Sequence, residues 1–142
     1  MDANFQRSIN EVSVGDEIGS VSIPVTLQRL VMEAGANRDF SLIHHDRDVA
    51  KATGASDAYM NTFFIAGMFE RMLREWMGMR GQINKISNLR MKAFNCVGDT
   101  VVFEGKVEDV NLSSHKVAIA LTSSTANGVT VTADALVTLH GS

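Results

Sequence analysis

Cysteine and proline are almost missing from this chain: its 142 residues hold one of each, Cys96 and Pro24. A lone cysteine excludes an internal disulfide. With no apolar N-terminal stretch of signal-peptide type, the expected setting is a reducing cytoplasm, and Cys96 reads as a small core residue. Pro24 lacks a backbone donor, so it is expected on an edge strand or at a strand end. Long apolar runs are missing too. The longest, around Phe63 to Phe69, falls far short of the roughly 20 residues a membrane-spanning helix needs, so no membrane partner is expected. Clusters of one charge sign are absent: the net charge is −3 with acids and bases interspersed, which argues against nucleic acid as a partner. No repeat, low-complexity segment or linker divides the chain. A hydrophobic content of 45% builds one core without disulfides, so a single domain over 1–142 is expected.

What is present has a clear order. Residues 1–13 carry polar groups without sustained period and read as an N-terminal arm, either pinned down by the domain or left loose, with regular structure expected to begin near Val14. Ile18 to Val25 alternates as a strand should. Thr26 suits the N-cap of a short helix that Gly35 closes, and Asp46 suits the N-cap of another from Arg47 to Thr53, closed by Gly54. Asn61 opens the longest helical pattern, running to about Met77. Phe64, Met68, Met72 and Trp76 recur at every fourth position, and Phe63, Ile65, Phe69 and Leu73 widen the stripe, so other structure must wrap this helix. Gly78 supplies a left-handed stop. Four strand-like runs follow: Ile83 to Phe94, Thr100 to Val110, Lys116 to Thr125 and Val129 to Leu139, with Asn127-Gly128 as a hairpin signal. Helices followed by consecutive antiparallel strands indicate an α+β fold, a curved antiparallel sheet wrapped around a long central helix.

The segment Arg38 to Asp46 has neither helical nor strand period, yet it carries Asp39, His44, His45 and Asp46. Asp39 and His44, five positions apart, can be aimed at one point by a tight loop. A carboxylate that takes a proton from water beside an imidazole that shares it gives acid–base help of roughly 10²–10⁴-fold. The ordinary alternative is an ion pair of Asp39 with Arg38 or a turn cap. His44 and His45 are neighbours in an irregular segment, so at most one faces the pocket. No common zinc pattern is present, and no metal is expected. The unpaired backbone N–H groups at Asn61 and Thr62 can bind an oxygen that gains negative charge, although a plain cap by Asn61 fits the same residues. Arg90 and Lys92 alternate with Leu89 and Met91 and offer two cations to the phosphates of coenzyme A, unless they only form a solvated strand face. His115 and His140 read as solvated histidines.

The string Arg38-Asp39-Phe40-Ser41-Leu42-Ile43-His44-His45-Asp46, with Ala50 and Gly54 beyond it, resembles the signature of the MaoC-like hydratases and dehydratases. That signature is G-D-x-N-P-x-H-x-D, then an alanine, a glycine and a helix start containing H-G. The similarity includes Ala93-Phe94 to Gly98-Asp99-Thr100 and so extends over most of the chain from about Val14. The departures are Arg38 for the glycine, Ser41-Leu42 for Asn-Pro, and Asn61-Thr62 for H-G. The resemblance implies a single hot-dog domain and catalysis by Asp39 and His44. It also implies hydration of a trans-2-enoyl-CoA to an R-configured 3-hydroxyacyl-CoA, with no cofactor beyond the coenzyme A of the substrate. The variant string is most similar to the small catalytic subunits of heteromeric hydratases that act on steroid side-chain enoyl-CoAs in actinobacteria. A bulky acyl group and a second hot-dog subunit without the dyad are thereby implied, with a homodimer as the other arrangement.

Two rival functions come from different classes. The first is acyl-CoA thioester hydrolysis, for which Glu70 and Glu75 are the only carboxylates on the long helix. The second is a non-catalytic acyl-CoA-binding or scaffolding subunit, against which the presence of both dyad residues counts.

Overall fold

Alternating apolar and polar residues become five strands in the computed structural model, which describes residues 4–141. They are β1 (Glu17–Pro24), β2 (Gln82–Met91), β3 (Thr100–Asn111), β4 (Lys116–Thr125) and β5 (Gly128–Thr138). Every pairing is antiparallel, in the order β1-β3-β4-β5-β2. The last four strands therefore do not succeed one another across the sheet, because β2 lies at the far edge beside β5. Alternation tells which face a side chain takes and says nothing of which strand lies alongside. Pro24 ends β1, the other edge.

The helices are α1 (Leu27–Ala36), α2 (Arg47–Ala52) and α3 (Thr62–Met77). Ile65, Met68, Phe69, Met72, Leu73, Trp76 and Met77 of α3 are buried, as spacings of three and four require. They share one core with Val101, Phe103, Val107, Val117, Ile119, Leu121, Val131 and Val137 of the sheet. Phe69 meets Phe103 edge to face at 5.3 Å. Burying a side chain of this size stabilises the fold by roughly 1.5–3 kcal/mol. No helix among the described residues is long and apolar enough to cross a membrane.

The three expected caps form. Thr26 accepts from the Arg29 N–H, Asp46 from Asp48 and Val49, and Asn61 from Phe64. Other expectations need correcting. Of the presumed arm, residues 1–3 lie outside the described residues, but order begins well before Val14. Ser8 and Glu11 form a capping box around the turn Ile9–Glu11, Ile9 is buried, and the Arg7 guanidinium donates to the Trp76 carbonyl. The polar pattern hid this because two isolated buried residues, Ile9 and Val12, anchor the segment. Gly78 has φ 82° and ψ 177°, a positive φ with extended ψ instead of a left-handed helical turn, since the Gln6 strand bridge lies against it. A Cβ there would stand 2.3 Å from the Phe5 carbonyl oxygen. β2 stops at Met91, short of Phe94, where the Lys92 and Ala93 N–H groups both turn to the Thr130 carbonyl. The β4–β5 turn is centred on Ala126 and Asn127, one residue before the expected pair, and Gly128 takes φ 118°.

The segment after α2 is tied back by a two-bonded ion pair. Arg47 Nε donates to Asp57 Oδ1 at 2.8 Å, and Nη2 donates to Oδ2. The Arg47 guanidinium holds the Asp57 carboxyl down at about 2, helped by the Ala58 N–H and opposed by desolvation.

Candidate active site

Helix α1 ends in a Schellman turn, and that turn aims Asp39. The Asp39 N–H reaches the Ala34 carbonyl at 2.8 Å and the Arg38 N–H reaches Gly35 at 3.1 Å, the paired bonds of this motif. Its left-handed position falls on Arg38, with φ 55°. The stop was expected at Gly35, which instead lies inside the helix. The local signal pointed to the glycine, but the bonds that end the helix form three residues later.

The Asp39 side chain is held from two sides. Oδ1 accepts from the Ser41 N–H at 3.2 Å, and Oδ2 accepts from Asn61 Nδ2 at 3.3 Å. The chain then makes a 3₁₀ turn, Leu42–His44, that brings His44 Nε2 to 3.1 Å from Asp39 Oδ2. His44 is 5% exposed. Its Nδ1 lies 2.7 Å from the Tyr59 carbonyl, and because a carbonyl cannot donate, Nδ1 carries hydrogen and Nε2 is the nitrogen offered to Asp39. The Tyr59 ring stands edge-on to the imidazole and stacks on Phe94 at 4.1 Å. His45 is exposed.

Asn61 performs two tasks. While Nδ2 holds Asp39, Oδ1 accepts from the Phe64 N–H at 2.7 Å and caps α3. The cap takes the third N–H of the helix and leaves those of Thr62 and Phe63 without intrahelical partners. Asp39, His44, Asn61 and Thr62 line one cavity of about 270 Å³, with Ile43, Tyr59, Met60, Phe63, Met91 and Phe94 as its apolar walls. A larger hollow, about 550 Å³, runs along α2 between Leu27, His45 and Lys51. It contains no carboxylate in contact with an imidazole, so the smaller cavity is the chemically equipped one. Among the described residues, no group of three or more His, Cys, Asp or Glu is placed to hold a metal ion.

The structure does not bring Arg90 and Lys92 to this cavity. Met91 between them lines it, and neighbouring side chains of an extended chain point to opposite sides. Glu70 and Glu75 are exposed on α3 and face Arg74 and Arg71, away from the cavity. The sequence reading passed over Tyr59, whose backbone carbonyl sets the imidazole and which has no side-chain signature. It also passed over Phe63, whose N–H is free, and Glu33. The signal for Glu33 was its position three residues after the buried Leu30 and beside the buried Ala34, which sets a carboxyl among core positions. Burial pushes Glu33 above its ordinary value, the Asn37 and Asn61 amides oppose this, the Asp39 charge adds to it and His44 opposes it.

No family model matches the chain. A curated relative, the 3-oxo-4,17-pregnadiene-20-carboxyl-CoA hydratase beta subunit of Mycobacterium tuberculosis, is 39% identical over 82 residues. That match covers 58% of this chain and 63% of the relative, so it spans less than two thirds of the relative's length. Among solved structures, a MaoC-like dehydratase superposes with a TM-score of 0.86 at 22% identity, over 96% of this chain and 43% of its own. A chain of the ChsH1-ChsH2 complex from Mycobacterium tuberculosis superposes with a TM-score of 0.84 at 30% identity, over 90% of this chain and 98% of its own. This chain belongs to the MaoC-like hot-dog family. The MaoC-like signature glycine falls where Arg38 takes a positive φ, which gives a physical reason for glycine there. Arg38 meets the same backbone demand at a cost of roughly 1–2 kcal/mol. The helix-start His-Gly is replaced by Asn61-Thr62, and Asn61 both caps the helix and holds Asp39.

Proposed function

We propose that this chain is the catalytic subunit of an enoyl-CoA hydratase, with Asp39 and His44 as its acid–base pair. The observation that carries the reading is the 3.1 Å contact of His44 Nε2 with Asp39 Oδ2 at the cavity that also meets the amino end of α3. With Nδ1–H committed to Tyr59, the pair holds one further proton between Nε2 and Oδ2. A water in the cavity gives a proton to the Asp39 carboxylate as its oxygen bonds to the β carbon. The Nε2 proton goes to the α carbon. The pair ends with one proton still between its atoms, now on Asp39, and the short contact returns it to Nε2. Both additions come from one side of the double bond. The charge that builds on the thioester oxygen meets the N–H groups of Thr62 and Phe63, and donors fixed in this way are worth several kcal/mol. No cofactor is needed beyond the coenzyme A of the substrate.

A cavity of about 270 Å³ holds the thioester end of an acyl-CoA but not the whole molecule. Apolar side chains at or near it are left bare, Phe40 at 78% and Phe63 at 66% exposure among them. This supports a second hot-dog subunit that completes the site, and the relatives' names support a heteromer and a bulky steroid side-chain acyl group. The free, buried Cys96 fits a reducing cytoplasm. The test is hydration of crotonyl-CoA and of bulky enoyl-CoAs by the chain alone and co-expressed with a second hot-dog subunit. Asp39→Asn and His44→Ala each lower kcat/KM by about 10²–10⁴-fold. Full activity in either variant removes the mechanism, and release of free coenzyme A in place of hydrated product makes the chain a thioesterase.

A further inference from the structure

One aromatic residue stands between the cavity of the dyad and a second hollow. That hollow, about 120 Å³, lies by the β4–β5 turn and is lined in part by Ser56, Asp99, Thr125, Asn127 and Thr130. Among the described residues, Phe94 alone borders both spaces. The chain brings it there by leaving the sheet: β2 ends at Met91, which lines the cavity, and the Lys92 and Ala93 N–H groups turn to the Thr130 carbonyl. After Phe94 the backbone is pinned. The Met60 N–H donates to the Asn95 carbonyl at 3.0 Å and the Val97 N–H to the Ala58 carbonyl at 2.9 Å, on either side of the antiparallel bridge between Tyr59 and Cys96. The Tyr59 ring stacks on Phe94 at 4.1 Å. Phe94 is therefore a held wall, although it is 38% exposed.

We propose that Phe94 is a specificity-determining residue, which ends the acyl pocket on the side of the β4–β5 turn and so limits the length of straight acyl chain accepted there. The assignment rests on the hydratase reading and adds a direction to it. With the thioester oxygen at the Thr62 and Phe63 N–H groups and the β carbon at Asp39 and His44, the chain beyond the β carbon continues past His44. The Tyr59 ring stands edge-on to that imidazole at 5.6 Å, and Phe94 is stacked behind Tyr59. Growth of the acyl group in this direction ends at the Phe94 ring. Without the ring, the cavity of about 270 Å³ opens into the hollow of about 120 Å³.

The experiment measures binding of butyryl-CoA and octanoyl-CoA, both saturated and so inert to hydration, by calorimetry. It uses the full chain, alone and with the second hot-dog subunit. In Phe94→Ala the ratio of octanoyl to butyryl affinity rises about tenfold over wild type. Each methylene moved from water into an apolar pocket gives roughly fourfold in affinity, and the partly polar lining of the hollow keeps the extra methylenes of octanoyl-CoA below that full gain. Phe94→Leu, which keeps an apolar contact with Tyr59, gives a smaller rise and carries the test if the alanine variant does not fold. Val129→Phe added to Phe94→Ala fills the hollow, which Val129 lines, and brings the ratio back towards wild type. In the active complex the kcat/KM ratio of oct-2-enoyl-CoA to crotonyl-CoA moves in the same sense. A wild type that binds both ligands, with the same ratio in Phe94→Ala and Phe94→Leu, overturns the assignment and leaves the hydratase reading standing. A shifted ratio in a complex that never hydrates keeps the wall and removes the hydratase reading, whereas binding of neither ligand in either form removes both.

Discussion

Substitutions at Asn61 separate the two tasks of its carboxamide. Asn61→Ala removes both the cap on the Phe64 N–H, a 2.7 Å bond, and the donor to Asp39, a 3.3 Å bond. Losing such a cap costs about 1 kcal/mol. Losing a hydrogen bond to a carboxylate in a half-buried site adds about 1.5 kcal/mol, so a loss of about 2–3 kcal/mol is expected. Asn61→Asp keeps the cap, and a carboxylate suits the positive end of the helix dipole. It also places an oxygen where the donor stood, 3.3 Å from Asp39 Oδ2. Two carboxylates at that distance repel by about 5 kcal/mol at an effective dielectric constant near 20. One of them takes a proton instead, because two carboxylates so close cannot both stay ionised. The folded state then holds a proton that the unfolded chain has released, so the stability of Asn61→Asp falls as pH rises from about 4 to about 7. Asn61→Ala shows no slope beyond that of wild type. Urea denaturation of both variants across this range decides the matter. Parallel pH dependences, or an Asn61→Ala protein as stable as wild type, would refute the reasoning.

Three further outcomes follow from single positions. Gly78→Ala forces a Cβ to 2.3 Å from the Phe5 carbonyl at φ 82°; urea unfolding should show a loss of more than about 2 kcal/mol, and a loss below about 0.5 kcal/mol would contradict the geometry. Arg38→Gly relieves the left-handed residue of the Schellman turn; it is expected to gain up to about 1 kcal/mol in the same assay with kcat/KM within a few-fold of wild type, and a clear loss would mean that the arginine side chain has a binding role. The Asp57 carboxyl, at about 2 in the folded chain against an ordinary value of 3.8, contributes stability that is complete above about pH 4 and lost as pH falls towards 2. Thermal unfolding between these limits should show that acid loss in wild type and a smaller one in Asp57→Asn.

Much of the frame was legible because it is local. Thr26, Asp46 and Asn61 cap the helices that follow them, since each needs only an oxygen within three residues of a free N–H. The apolar stripe of α3 marked the side that packs into the core, because a period near 3.6 gathers Ile65, Met68, Phe69, Met72, Leu73 and Trp76 there. The stripe is narrower than the pattern suggests, since Phe63 stays exposed with Glu70 and Glu75 on the other side. The five-residue spacing of Asp39 and His44 marked a loop able to converge. Gly35 misled because a glycine is a permission to stop, whereas the stop itself is made by the bonds of Arg38 and Asp39 to the turn behind them.

The sequence by itself determined which residues could do chemistry, where helices begin, and which face of each strand turns inward. Tertiary structure alone decided which groups meet. Asn61 reaches Asp39 across 22 residues, the Tyr59 carbonyl orients His44 across 15, β2 crosses to β5, and Arg90 and Lys92 fall away from the cavity that Asp39 and His44 line. The physical reason is range: periods and caps are fixed within one or two turns of chain, while a site is assembled by packing a core whose partners lie far apart in sequence.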